Sequence, residues 1–306
     1  MNKLKTILVV VDFSSGSRSA LMQAARLARL NKASLHVLHV VDSTPIDLIA
    51  VTQDVTREQL AAIESERTIQ AKQALSHWMA QAGAPADCRN TIVVGAPLHE
   101  ILERVKTLEA DLVVAGITGL GESTPGAGSL AHSLARKVPA KVLLVRADHS
   151  REFRKIIACI DFSETSREVA AQAHRVAVQD GARVDFLHVW REPWLNLPYA
   201  RAPFGASVPM TPPAISDDYL QATDTALRDF VSEASQDIES RALLVKATNY
   251  GNGIVAHARQ TEADLIVIGR KGRTNLRYVL LGSTAEQLLS ILPCALLVVN
   301  PAGRMT

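Results

Sequence analysis

Aromatic residues are scarce: six Phe, four Tyr and three Trp make up 4% of a 306-residue chain that is 47% hydrophobic. Apolar content without rings predicts compact cores of Val, Leu, Ile and Ala, and the length exceeds one typical domain. Cysteine is nearly missing as well. Cys88, Cys159 and Cys294 are unclustered, and the last two lie in or beside apolar runs, which favours buried thiols over a disulfide or zinc site and fits a reducing, cytoplasmic setting. Excess charge of either sign is absent: 33 Lys and Arg against 31 Asp and Glu leave a formal net charge of +2. That balance gives no reason to expect a nucleic-acid or membrane-surface partner, so any basic function must be local. No apolar run reaches membrane-spanning length, and Met1 to Thr6 leads straight into a short strand without the features of a secretory signal, so a soluble chain is expected. Also lacking are a Gly-x4-Gly-Lys-Ser/Thr loop, a Gly-x-Ser-x-Gly nucleophile turn and paired catalytic carboxylates. Dedicated catalysis is not indicated.

What is present is written twice. Thr6 to Ser14 returns as Lys155 to Ser163, each an apolar strand ending in Asp-Phe-Ser. Helical stretches follow, Ser19 to Leu30 and Arg167 to Val178, then second strands at Leu35–Val41 and Val184–Trp190. Glu109–Gly116 matches Glu262–Gly269, and Pro139–Val145 matches Pro293–Val299. Near-continuous aliphatic strands alternating with helices predict an α/β fold of two tandem open five-stranded parallel sheets, doubly wound and Rossmann-like. The expected domains are residues 1–148 and 152–306, joined by a short polar segment near Ala147–Arg151. Ligands of such sheets bind at the carboxyl ends of the strands, where Asp12, Asp161, Gly116 and Gly269 fall.

The stretch Gly269 to Thr284 carries the sharpest signal. It follows an apolar strand, precedes a helical run, and places Arg270, Lys271, Arg273 and Arg277 among Gly269, Gly272 and Gly282. Glycines let the backbone approach an anion, and the next helix offers unpaired N–H groups and a positive dipole end. A nucleoside triphosphate is the natural candidate. Ser283 and Thr284 can hold phosphate or cap the last helix. Asp161 reads as a ligand contact, Asp12 more as part of a helix start, and Ser14 and Ser163 as helix caps; Thr165 and Glu168 have capping-box spacing. His39 and His188 occupy equivalent strand positions and read as packed, hydrogen-bonded side chains rather than metal ligands.

A repeat of strand-Asp-Phe-Ser followed by Gly-x2-Gly and Gly-Ser resembles the universal stress protein family in its tandem form, over almost the whole chain. The resemblance implies an ATP-binding α/β domain with a Gly-x2-Gly-x9-Gly-Ser/Thr motif, met in the second half by Gly269, Gly272, Gly282 and Ser283. It further implies that Asp161 and Val189 line an adenosine pocket, and that Gly282, Ser283 and Thr284 hold phosphates, with magnesium accompanying ATP. Pairing of the two halves through their last strands, as an internal pseudo-dimer, is implied as well; homo-oligomerisation and any protein partner stay open.

The halves differ. In the first, Gly119 and Gly128 are one residue closer than the motif asks, Pro125 stiffens the loop, and Ile117, Thr118, Leu120 and Glu122 stand where the second half has cations. The first half is therefore expected to bind nucleotide poorly. In the second half, Lys246 to Gly253 departs from the family-like turn Val93–Pro97 of the first. The proline-rich segment Arg191 to Asp217 reads either as a lid on the crevice or as a surface loop. The expected function is an ATP-binding stress-response regulator acting through its second half. The alternatives are a slow magnesium-dependent ATP hydrolase and a scaffold whose first half takes a non-nucleotide ligand.

Overall fold

The computed structural model describes residues 4–43, 56–119, 126–192, 216–272 and 281–300. The first half runs β1 (Thr6–Val10), α1 (Ser15–Asn31), β2 (Ser34–Asp42), α2 (Arg57–Gln81), β3 (Arg89–Gly95), α3 (Pro97–Leu108), β4 (Leu112–Gly116), α4 (Ser129–Lys137) and β5 (Lys141–Val145). The second repeats it as β6 (Lys155–Cys159), α5 (Glu164–Asp180), β7 (Arg183–Trp190), α6 (Asp217–Ala234), β8 (Ser240–Lys246), α7 (Tyr250–Thr261), β9 (Leu265–Gly269), α8 (Ser283–Ser290) and β10 (Ala295–Val299). Among the described residues no helix is long and apolar enough to cross a membrane.

All ten strands form one sheet, in the order β3-β2-β1-β4-β5-β10-β9-β6-β7-β8. Within each half every neighbour is parallel. The single antiparallel joint is β5 against β10, with Val142 opposite Val298, Leu143 opposite Leu297 and Leu144 opposite Leu296. The expected pairing of last strands is thus observed, and it removes two apolar sheet edges at once. Alternation along the strands sends Ile7 and Val9 to one face with helices α1, α2, α5 and α6, and Leu8 and Val10 to the other with α3, α4, α7 and α8. Both cores run through both halves.

Polar groups lock the same seam. Arg26 of α1 donates two hydrogen bonds to the Asp180 carboxylate at the end of α5, at 2.6 and 3.0 Å. Asp180 Oδ2 also accepts from the Phe153 backbone N–H at 2.9 Å, and the Asp180 side chain is only 1% exposed. Gln23 of α1, fully buried, donates to the Arg151 carbonyl.

Helix ends follow the sequence with two corrections. Ser14 caps α1, its hydroxyl accepting from the Ser17 N–H at 3.1 Å. Ser163 holds the corresponding N-cap position of α5 but makes no side-chain cap bond; Asp161 Oδ1 accepts from the Ser163 N–H and the Ser166 hydroxyl. Thr165 and Glu168 do not form a capping box: Thr165 is already inside α5 and buried against Gly269. The expected buried, unbridged cysteines hold for Cys294, which is buried, while Cys88 and Cys159 are part-exposed; all three are free. Burial pushes the Cys88 thiol up to about 11 and the Cys294 thiol up to about 12, which leaves both protonated and inert at neutral pH.

Candidate functional site

Each half turns at Asp-Phe-Ser with a left-handed phenylalanine, φ 63° at Phe13 and 59° at Phe162. A bulky residue in that region carries a cost of roughly 1–2 kcal/mol, offset here by local bonds. Asp12 Oδ1 accepts from the Ser14 N–H and Asp161 Oδ1 from the Ser163 N–H, both at 3.0 Å. The phenylalanine rings lie against His39 and His188, at 4.6 and 4.9 Å between centroids. Those histidines hydrogen-bond through Nδ1 to the Val11 and Ile160 carbonyls at 2.7 Å. They are packed strand residues, as their apolar context implied. Burial holds His39 below the usual imidazole value, against the raising effects of the Val11 carbonyl and Asp12.

The second-half corner meets the loop that leaves β9. A Cβ on Gly269 would lie 2.8 Å from the Thr165 methyl, and one on Gly272 would lie 2.7 Å from Asp161 Oδ2. Both glycines therefore permit close approach of the loop to the start of α5. Gly282, the N-cap of α8, donates its N–H to the Arg270 carbonyl at 2.8 Å and has no side chain with which to cap the helix. A Cβ there would stand 3.5 Å from the Arg270 oxygen and 3.8 Å from the Gly272 nitrogen, which is ordinary contact. Asp161, Gly272 and Gly282 thus converge, with Lys271 between them in sequence and Ser283 and Thr284 opening α8.

One expected site residue has its side chain placed elsewhere. Arg270 is 3% exposed, and its guanidinium donates to the Val138 carbonyl at 2.8 Å, to the Arg136 carbonyl, and to Asn300 Oδ1 at 3.2 Å. Its side chain fills the seam at the end of α4, and burial lowers its proton affinity. Only its backbone belongs to the loop. Val189 sits on β7 with its side chain packed where a Cβ on Gly253 would be 2.8 Å away. Arg273, Arg277 and the possible lid between 193 and 215 lie outside the described residues. One group that the sequence reading gave only to capping is the Ser163 hydroxyl. It is buried at the start of α5 beside Asp161 and has no hydrogen-bond partner among the described residues. The capping assignment hid it, because the missing cap bond is visible only once the turn is folded.

The first half keeps the backbone frame. Gly128 caps α4 and donates to the Ile117 carbonyl at 2.8 Å, as Gly282 does to Arg270. Gly116 and Gly16 approach so closely that a Cβ on either would meet the other's backbone at 3.5 Å or less. At these strand ends opens a cavity of about 620 Å3, lined by Val10, Val41, Ile101, Ile117 and Leu134 with Asp12, His39 and Arg67 among the polar groups. Its walls are chiefly aliphatic. Among the described residues no cluster of three or more His, Cys, Asp or Glu side chains could hold a metal.

A family model described as "Universal stress protein family" matches residues 3–146 and again 152–300. The chain is 26% identical, over an alignment of 329 residues, to a universal stress protein E homolog of Haemophilus influenzae, covering 99% of each chain. A universal stress protein A homolog of Coxiella burnetii is 30% identical over 144 residues, 46% of this chain and 95% of its own. The solved structure of a universal stress protein from Archaeoglobus fulgidus superposes with a TM-score of 0.67 at 16% identity, covering 97% of this chain and 98% of that one. That likeness extends to the whole tandem arrangement.

Proposed function

We propose that this chain, which belongs to the universal stress protein family, binds ATP through its second half and acts as a nucleotide-responsive regulator rather than a dedicated enzyme. The observation that supports this reading most is the convergence of Gly272, Gly282 and Asp161 on one point at the start of two helices. A phosphate there meets the first N–H groups of α8, which no side chain caps, together with the positive end of the helix dipole. Lys271 adds a mobile positive charge, the orphaned Ser163 hydroxyl a donor, and Arg273, Ser283 and Thr284 complete the phosphate set. Gly269 and the Arg270 backbone shape the turn, and Val189 and Asp161 face the nucleoside.

These groups fit a polyphosphate. Magnesium bound with the nucleotide would neutralise charge between phosphates, and Asp161 would offer it Oδ2, since Oδ1 accepts two hydrogen bonds in the α5 turn. Among the described residues none in this arrangement is set to activate water, which ranks hydrolysis below binding.

Gly282→Ala is the sharpest test, because the added methyl makes only ordinary contact with the loop yet occupies the concavity. Folding should be unchanged, and calorimetric titration should show ATP affinity reduced at least about tenfold, on the order of 1.4 kcal/mol. Unchanged affinity would remove the phosphate from this point.

A second reading concerns the first half, where the 620 Å3 aliphatic cavity supports a non-nucleotide ligand. Mass spectrometry of protein purified without added ligand separates the two: retained ATP supports the nucleotide reading, and a retained apolar molecule lost on Leu134→Trp supports the cavity.

A further inference from the structure

The duplication makes each half a reference for the other, and one set of equivalent positions has changed its chemistry. In the second half, parallel pairing sets Asp185 of β7 opposite Arg241 of β8. Arg241 Nε donates to Asp185 Oδ1 at 2.9 Å and Nη2 to Oδ2 at 3.1 Å. His257, eighth residue of α7, approaches the same Oδ2 through Nε2 at 3.0 Å. Asp185 is 4% exposed, so a buried carboxylate is met here by a guanidinium and an imidazole.

In the first half the same ladder sets His36 of β2 opposite Arg89 of β3, and the eighth residue of α3 is Arg104. His36 stands where Asp185 does, Arg89 where Arg241 does, and Arg104 where His257 does. The carboxylate is gone and a second guanidinium has been added. With His36 neutral the first trio carries two positive charges, and none of its side chains has a hydrogen-bond or ion-pair partner among the described residues. The charges acting on His36 are Arg89 from β3 and Arg104 from α3; burial first, and then these two, hold its proton affinity below the usual imidazole value. In the second half the side chain at the His36 position bonds both of its neighbours, so the three positions stand within contact of one another.

We propose that Arg89, His36 and Arg104 form a binding site for a free phosphate-class dianion, which supplies beside His36 the negative charge that Asp185 brings in the other half. Two guanidinium groups match a dianion in charge, and their forked N–H groups match its oxygens. His36 adds a third donor once protonated, so binding strengthens as pH falls. This site lies on the far side of the sheet's outer strands from the seam and does not involve the loop from Gly269 to Thr284. Its occupancy would report phosphate level independently of nucleotide.

The test uses inorganic phosphate as probe on the full chain. Proton NMR of the His36 ring, assigned by its loss in His36→Gln, should show its titration moved to higher pH by phosphate and left in place by chloride at matched ionic strength. Arg104→Gln should weaken that response about tenfold. Thermal unfolding gives a second readout: phosphate should raise the midpoint of the wild type and of Lys271→Glu. In His36→Asp, which rebuilds the second-half carboxylate, the midpoint should be higher in chloride and gain nothing from phosphate beyond the general salt effect. A His36 ring indifferent to phosphate, or equal phosphate gains in wild type and His36→Asp, would overturn the site. Loss of the phosphate response in Lys271→Glu would relocate it to the nucleotide loop.

Discussion

Phe13 and Phe162 spend backbone energy to hold the corner from which each half presents its carboxylate. Each corner carries an aspartate with one oxygen turned to its own helix, and in the second half the other oxygen meets Gly272. The sequence could name Asp161 as a ligand residue or as part of a helix start; the folded corner divides the two roles between Oδ1 and Oδ2. A solvent-linked expectation follows from the histidines. His36, His39 and His149 all have proton affinities lowered first by burial. The unfolded chain therefore binds more protons than the native one below the ordinary histidine value of about 6.5, so stability should be steady above that pH and fall as pH drops through and below it. Urea midpoints measured from pH 7.5 to 5.5 in chloride should decline; a flat or rising profile would contradict the burial of these rings. Lys271→Glu should weaken ATP at least about tenfold while leaving adenosine nearly unchanged, since adenosine has no phosphate charge to lose. Equal losses for both ligands would mean that the phosphates lie elsewhere.

Helix α4 and the loop after β9 are tied together across the seam by Arg270, whose guanidinium bonds the Val138 and Arg136 carbonyls. The opposite half solves the same contact without a side chain: the Ala127 N–H donates to the Leu289 carbonyl at 2.7 Å, and Gly126 packs where a Cβ would meet the Leu289 and Ser290 oxygens at 2.5 Å. Arg270→Ala should cost about 1–3 kcal/mol of stability by leaving buried carbonyls unpaired, read as a lowered urea midpoint. If stability is untouched, those carbonyls find water and the strut is dispensable. Strand and helix order were legible because aliphatic runs, Asp-Phe-Ser corners and motif glycines recur at matching offsets. Arg270 was not, because a cation between motif glycines reads as a phosphate ligand until the partner half supplies its acceptors. The Thr165 and Glu168 spacing misled because the helix starts at Glu164, which puts Thr165 inside it rather than at its cap. The close backbone approach at Gly272 was legible in the glycine spacing, whereas the Ser163 hydroxyl needed the folded turn to become visible.

Ten strands in one sheet make the two halves a single folding unit in energetic terms, with a hydrophobic seam at β5 and β10 and a buried Arg26–Asp180 pair beside it. Leu144 is fully buried and Leu297 is 6% exposed. Leu144→Lys and Leu297→Lys should each lower a single calorimetric transition for the whole chain, because either places a charge in the shared core. Arg26→Ala should cost about 3–5 kcal/mol by stranding the Asp180 carboxylate. Two separated transitions, with only the mutated half shifting, would contradict a joint unit. Against that symmetric frame the halves diverge in chemistry: cations and a converging glycine loop on one side, an aliphatic cavity of about 620 Å3 on the other. The most direct measurement of this asymmetry is titration calorimetry of the full chain with magnesium-ATP, beside Lys271→Glu. One ATP bound per chain, lost in the variant while its unfolding transition stays intact, is the expected result. Two ATP per chain, or one that survives Lys271→Glu unchanged, would contradict it.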